Sequence, residues 1–405
     1  MNDNQLGSSP ITSRERIVSL DIIRGIALFG ILLANMPLFQ TPKLIQDLYM
    51  ISPAYSQSDK ILRMLLDVFV ETKFFTIFSF LFGIGFYIFM KRAEVKTKRF
   101  YRLYSRRLIG LAIFGLIHLI FLWYGDILLG YALAGFLLIF FYRRKVKTIL
   151  ICLIVCAAVL VSLLTFNLFY TPDTIEQQIN NLQIEGAPIV EEAIAIYQNG
   201  SYFEWLSYRF SNEVIPVLIN IPFNMLTALF MFLIGLYAAK KGVFNDFPRH
   251  KKFIKKVWNI SLTISIPISI AIILLHLNII DYGIRNEQLI QVLLIMSGLS
   301  LAFFYISSIV LLLERGKWKK LLQPFSYIGR MALTNYILQT IIGVGLFTGF
   351  GMFGELNIAL GILISIIVFP LQMLFSFLWL TYFRFGPLEW IWRSFTYMQF
   401  QPLKK

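Results

Sequence analysis

Charge is the first thing this chain lacks. Of its 405 residues only 15% are Asp, Glu, Lys or Arg, where ordinary soluble domains carry about a quarter. The complement of that shortage is 58% hydrophobic residues and a mean hydropathy of +0.71. A water-soluble core cannot absorb so much apolar surface, so the excess must face lipid. The expected fold class is all-α: a polytopic membrane protein of about ten transmembrane helices. Thiols are almost absent too. Cys152 and Cys156 lie four apart within one apolar run, which marks them as packing residues, and two thiols make no metal site of recognised spacing. No small-residue cleavage site follows the first apolar run, so it reads as a retained helix rather than a signal peptide. No internal repeat is evident, which leaves an inverted-repeat transporter design unsupported.

The formal charge of +15 does not point to nucleic acid, because the basic residues sit in short clusters between apolar spans. The spans are expected at 17–39, 68–90, 108–123, 126–142, 149–170, 217–239, 257–277, 288–313, 328–350 and 357–383. On one side, residues 1–16, 91–107, 143–147, 240–256, 314–330 and 384–405 together hold 30 Lys and Arg, against five in the segments of the other side. The inside-positive bias of membrane proteins then places both termini in the cytoplasm. Residues 1–16 read as a disordered tail and 17–383 as one transmembrane domain. Residues 384–405 form a cytoplasmic tail whose short helix starts at Pro387. Residues 171–213 form a polar, acidic outer segment in which Arg209 is the one basic residue, with amphipathic helices expected over the membrane face. Lys60–Val70, apolar but broken by Arg63 and Asp67, is expected to lie at the surface.

The first span carries charge at one end and an amide near the other: Ser19-Leu20-Asp21-Ile22-Ile23-Arg24-Gly25, then apolar residues to Asn35-Met36-Pro37. Asp21 and Arg24 stand three apart and share a helix face. Charges in a membrane segment are costly and turn toward protein or water, either as an ion pair that fixes helix position or as part of a site. LDIIRGIALFGILLAN resembles the opening of the YeiB-like bacterial membrane proteins, a family of unknown function (DUF418). It also looks like the first helix of the membrane acyltransferases that modify cell-wall and surface sugars, which carry an arginine, ten residues and a histidine. Here Arg24 is followed by ten residues and then Asn35. The arginine is kept and the base is not, and residues 36–60 supply no histidine in its place.

Three histidines are present. His250, in a basic loop, reads as solvated, and His276, at the outer end of its span, as interfacial. His118 lies inside a span, in GLIHLIFLWYGDIL, where an imidazole must pair or line a polar cavity. Asp126 follows across a turn tight enough to make the two spans antiparallel neighbours, so the pair can share one space. Asp126 also suits an N-cap, and His118 a buried imidazole bonded to a neighbouring helix. As a functional pair they are a base oriented by a carboxylate, or a proton relay. Further along, GRMALTNYILQT brings Arg330, Asn335 and Gln339, the last two on one face. Arg24 and Arg330 lie at similar depth and could hold phosphate or carboxylate bidentately. GPLEWIWRSFTY places Glu389 four residues before Arg393. Both stretches resemble YeiB-like signatures. Phe82-Gly83-Ile84-Gly85 is no nucleotide loop; small residues in an apolar helix serve close packing.

Two functions follow. In the first, resemblance implies acyl transfer from a cytosolic thioester donor, acyl-CoA, to an acceptor in or across the membrane. Arg24 and Arg330 would hold the donor, His118 would act as base and Asp126 would orient it, with Asp21, Asn35, Asn335, Gln339 and Glu389 on the substrate path. In the second, the same residues gate transport of a small metabolite or lipid without covalent chemistry. The expected setting is the bacterial cytoplasmic membrane, with the bilayer and a small-molecule or lipid substrate as partners, no metal and no nucleic acid. A homo-oligomer is left open.

Overall fold

The computed structural model describes residues 17–53, 55–166, 170–244, 247–355 and 357–405. The described part is all-α apart from an isolated bridge between Phe383 and Lys404 that folds the C-terminal end back. Among the described residues nine helices are long and apolar enough to cross a membrane. The protein is a multi-pass α-helical membrane protein. The expected 1–16 tail lies outside the described residues.

Helix α1 (Val18–Gln40) is the central post. It packs on α4 (Lys73–Lys96), α14 (Phe325–Arg330), α15 (Ala332–Gly349) and α16 (Ile358–Tyr382). Two glycines allow its closest approach. A Cβ on Gly25 would stand 2.0 Å from the Phe325 carbonyl oxygen, and one on Gly329 would stand 1.9 Å from that of Asp21. Backbones meet there as they do where small residues line membrane helix interfaces. In α4, Gly83 does the same against α10 (Ile215–Lys240), while Gly85 faces open space.

The expected span 126–142 is shorter in the structure. Helix α5 (Phe100–Phe121) has full crossing length, but its partner α6 (Leu128–Ile139) has 12 residues, about 18 Å of rise against a hydrocarbon core of about 30 Å. Ahead of α6 the chain Leu122–Ile127 is irregular and folds back along α5 until the Leu129 amide lies where a side chain on Gly115 would be. Non-helical backbone at membrane depth survives only where protein satisfies it. Here the Tyr336 hydroxyl donates to the Gly125 carbonyl at 2.9 Å, and Asp126 accepts the Leu129 N–H at 2.7 Å.

The expected helix 328–350 is broken at Met331 into α14 and α15. The expected outer segment, 171–213, contains the long α8 (Pro172–Asn199) and the short α9 (Tyr202–Arg209), the latter opened by a full capping box between Ser201 and Glu204. The stretch expected at the surface becomes α3 (Gln57–Phe69), with its charged face turned inward. Asp67 pairs with Arg63 at 2.7 Å and with His276 of α11 (Phe247–His276) at 3.1 Å, and the fully buried Lys73 donates to the Asp67 carbonyl. His276, at the end of α11, thus meets the Arg63–Asp67 pair. Arg63 and Asp67 interrupt the apolar run as a pair on one helix face.

Candidate functional site

A cavity of about 1410 Å³ opens among the ends of α1, α4, α5, α14 and α17 (Pro387–Tyr397) that carry the basic segments. Its walls hold ten Lys or Arg side chains against two acids, Asp21 and Glu389. The basic block 91–107, needed by topology alone on the sequence, supplies seven of the ten. Arg102 and Arg106, one turn apart on α5, present the same face. Deeper, the wall becomes aromatic and aliphatic, with Phe82, Phe86, Leu111, Leu128 and Tyr131, and the cavity reaches Ile127 and Tyr336. Its shape is amphiphilic: cations around the mouth and a hydrocarbon-like interior.

The rim is held in place by the C-terminal helix. Arg107 lies over the Trp392 ring with its guanidinium carbon 3.7 Å from the centroid, and the Trp392 indole N–H donates to the Arg107 carbonyl at 2.7 Å. Glu389 reaches across to cap α15: it accepts the Leu333 and Thr334 N–H groups at 2.7 and 3.0 Å and the Thr334 hydroxyl at 2.6 Å. A carboxylate suits the positive end of a helix. Burial pushes the Glu389 carboxyl above its ordinary value, against the opposing pull of those donors. Arg24 donates to Asp21 at 2.9 Å and to the Gly329 carbonyl at 3.2 Å, so the ion pair of α1 also ties down the end of α14. Asp21, Arg24, Arg330 and Glu389 therefore all line this one cavity.

Beneath its floor lies the second component. His118 and Asp126 are sealed, their side chains 0% and 1% exposed. The His118 Nδ1 atom is 3.1 Å from Asp126 Oδ1, in an oblique approach, and its Nε2 is 2.9 Å from the Thr340 hydroxyl. Tyr336, which closes the cavity floor, packs at a tilt against the imidazole with ring centroids 5.1 Å apart. On the other side Trp123 stands edge-on to His118 at 6.4 Å and packs on Phe39 of α1 at 4.4 Å. The spacing of His118 and Asp126 suggests a pair; the direct contact comes from the folded-back chain that returns Asp126 alongside α5.

Three expected site residues lie apart from the cavity. Asn335 donates to the Met331 carbonyl and to Ser376 of α16, Gln339 donates to Gln372, and Gln372 donates back to the Asn335 carbonyl. These amides knit α15 to α16. Asn35 is half-buried on α1, one turn before Phe39. Sequence reasoning missed Thr340, Tyr336 and Trp123, because an isolated hydroxyl or aromatic residue in an apolar run carries no spacing signal. It also missed Arg209, fully buried and paired with Glu213 at 2.8 Å, which donates to the Leu119 and Ile120 carbonyls at the end of the helix bearing His118.

Residues 238–399, which include the cavity's α14, α15 and α17, match the family model described as protein of unknown function (DUF418). Over 98% of both chains the protein is 36% identical to the uncharacterized protein YxaH of Bacillus subtilis (strain 168). The chain belongs to the YeiB-like DUF418 family. It is also 30% identical to an uncharacterized 39.9 kDa protein in the amylase 3' region of Bacillus acidopullulyticus, over 97% of both chains. To the uncharacterized protein YeiB of Escherichia coli (strain K12) it is 29% identical, over 94% of this chain and 96% of YeiB. No solved structure matches.

Proposed function

We propose that this DUF418 protein binds an acyl-CoA-type thioester in the basic cavity and transfers its acyl group, with His118 as general base and Asp126 as its orienting carboxylate. One observation carries the reading: a cavity with cations at its mouth and apolar walls within ends at Tyr336, whose ring packs against the imidazole. Such a space suits a donor whose phosphates stay among Arg102, Arg106 and Arg107 while its acyl thioester extends inward. The resemblance to the acyltransferase first helix supports the same chemistry, with the base moved. Where that pattern has a histidine, this chain has Asn35, and an imidazole is supplied from α5 at the level of the next turn of α1, behind Trp123 and Phe39.

The complete burial of the dyad favours a second reading, in which the cavity is the inward-open state of a transporter and His118 a proton relay. Thermal stability of the purified protein, titrated with CoA, palmitoyl-CoA or phosphate, separates them when followed by transfer assays in proteoliposomes. Stabilisation by CoA species that Arg102→Glu/Arg106→Glu abolishes, together with acyl transfer lost in His118→Gln, is expected. Uptake of an intact solute with no acyl product would overturn acyl transfer.

A further inference from the structure

Among the described residues, Thr340 is the one whose polar atom meets the imidazole edge left free by Asp126. Hydroxyls in the membrane-spanning helices of this chain commonly satisfy themselves on their own backbone, four residues back. Thr76 bonds the Thr72 carbonyl at 2.8 Å, Ser265 that of Ser261 at 2.6 Å, and Ser365 that of Gly361 at 2.9 Å. Thr340 departs from that habit. Its corresponding distance, to the Tyr336 carbonyl, is stretched to 3.5 Å, and its short contact is the 2.9 Å one to His118 Nε2. With its hydrogen on Nδ1, the nitrogen facing Asp126, the imidazole holds a lone pair on Nε2. The hydroxyl then donates to Nε2, the arrangement that activates an alcohol as a nucleophile.

We propose that Thr340 is the covalent nucleophile of this protein, completing a hydroxyl–imidazole–carboxylate chain with His118 and Asp126. The proposal rests on the acyl-transfer reading above. Thr340 Oγ1 attacks the thioester carbonyl while its proton passes to His118 Nε2. The carbon–sulfur bond breaks and the thiol leaves with that proton, so the acyl group remains as an ester on Thr340. An acceptor hydroxyl then gives its proton to Nε2 and attacks the ester carbonyl. The carbon–oxygen bond to Thr340 breaks, and the proton returns to Oγ1.

Two placements support this route. Tyr336 and Thr340 are four apart on one face of α15, and Tyr336 forms the cavity floor, so the way in from the cavity leads one turn along that face to the hydroxyl. The Tyr336 ring, latched by its hydroxyl to Gly125, is what must swing aside. Beside the imidazole, Trp123 is 3% exposed, and its indole N–H has no acceptor among the described residues. A buried donor with no acceptor costs free energy in the resting state, and it is suited to the negative charge that develops on the carbonyl oxygen during attack. Storing the acyl group on the chain also removes any need for donor and acceptor to be bound together.

The test is to incubate the purified full-length protein in nanodiscs with radiolabelled acetyl-CoA or palmitoyl-CoA and no acceptor, then map adducts by peptide mass spectrometry. The expected result is a base-labile acyl ester on Thr340. Thr340→Ser should retain it and Thr340→Val should lose it entirely. His118→Gln should slow its formation by roughly 10²–10⁴-fold. CoA-induced stabilisation, read on the same samples, should be unchanged in all three variants. A wild type that CoA stabilises but that carries no ester on Thr340, or a Thr340→Val variant that is labelled as fast as the wild type, would overturn the nucleophile and leave direct acyl transfer standing. A wild-type protein that CoA neither stabilises nor labels would remove the acyl-transfer reading and the nucleophile with it.

Discussion

The guanidinium of Arg209 donates to the carbonyl of Leu119 at 2.8 Å, one residue beyond His118. A second bond, to Ile120 at 3.0 Å, completes the cap, so the end of α5 is closed by a cation held in place by Glu213 and lying over Trp205. Helix α9, which ends at Arg209, and the turn that carries Glu213 are thereby locked to the imidazole's own helix.

Arg209→Met should therefore be among the most damaging single changes outside the cavity. It leaves Glu213 buried, with only the Tyr197 hydroxyl as partner, and breaking such a pair costs about 3–5 kcal/mol. Unfolding in SDS or by heat should show a loss of that order, and Arg209→Met/Glu213→Leu should recover most of it. Equal stability of single and double variants would show that the charge on Glu213 is not what the arginine offsets.

Replacement of Asp126 separates its two contacts. Asp126→Asn keeps an oxygen for the Leu129 N–H, so the folded-back segment should survive with a stability change under about 1 kcal/mol. Asp126→Ala should lose the cap and cost about 0.5–2 kcal/mol. Both should lose His118-dependent activity, because neither holds Nδ1 in the hydrogen-bearing tautomer. Thermal unfolding and transfer assays on the two variants check this; full activity in Asp126→Asn would make the carboxylate a cap alone.

Backbone contact between α1 and α14 predicts a sharp division among glycine substitutions. Gly329→Ala puts a methyl group 1.9 Å from the Asp21 carbonyl oxygen and must force the helices apart, whereas Gly130→Ala meets nothing within 4 Å. Folded yield in detergent should collapse for the first. For the second it should hold or rise, since alanine favours helix by up to about 1 kcal/mol over glycine.

The orientation of the chain can be tested with single thiols. In a Cys152→Ala/Cys156→Ala background, Glu185→Cys on α8 and Lys96→Cys at the end of α4 are both exposed positions. Impermeant maleimide applied to intact cells should label the first and not the second, and the reverse would invert the topology.

Nine of the ten expected spans were legible because long apolar runs report directly on lipid contact. Asp21, Arg24 and His118 were legible as candidates because a charge or imidazole in an apolar run is expensive and so announces itself. What stayed hidden depends on backbone paths that no spacing encodes. The return of Leu122–Ile127 along α5 looks like a turn in sequence, and the break at Met331 looks like continuous helix. Arg102 and Arg106 were absorbed into the inside-positive count, which accounts for their side of the membrane but not for the wall they share. Asn335 and Gln339 drew notice as polar residues on one face, and the side chains that answer them, Ser376 and Gln372, lie on another helix, 41 and 33 residues further along.

The cavity also reshapes the electrical environment. Filled with water, a space lined by cations would carry the potential of its own side of the membrane as far in as Tyr336. The transmembrane voltage would then fall mainly across the layer that holds the sealed His118–Asp126 pair and the Trp123–Phe39 contact. A full charge moved across that drop is worth about 2.3 kcal/mol per 100 mV. A proton entering or leaving His118 from the far side would cross most of this field, coupling its protonation to the cell's energised state.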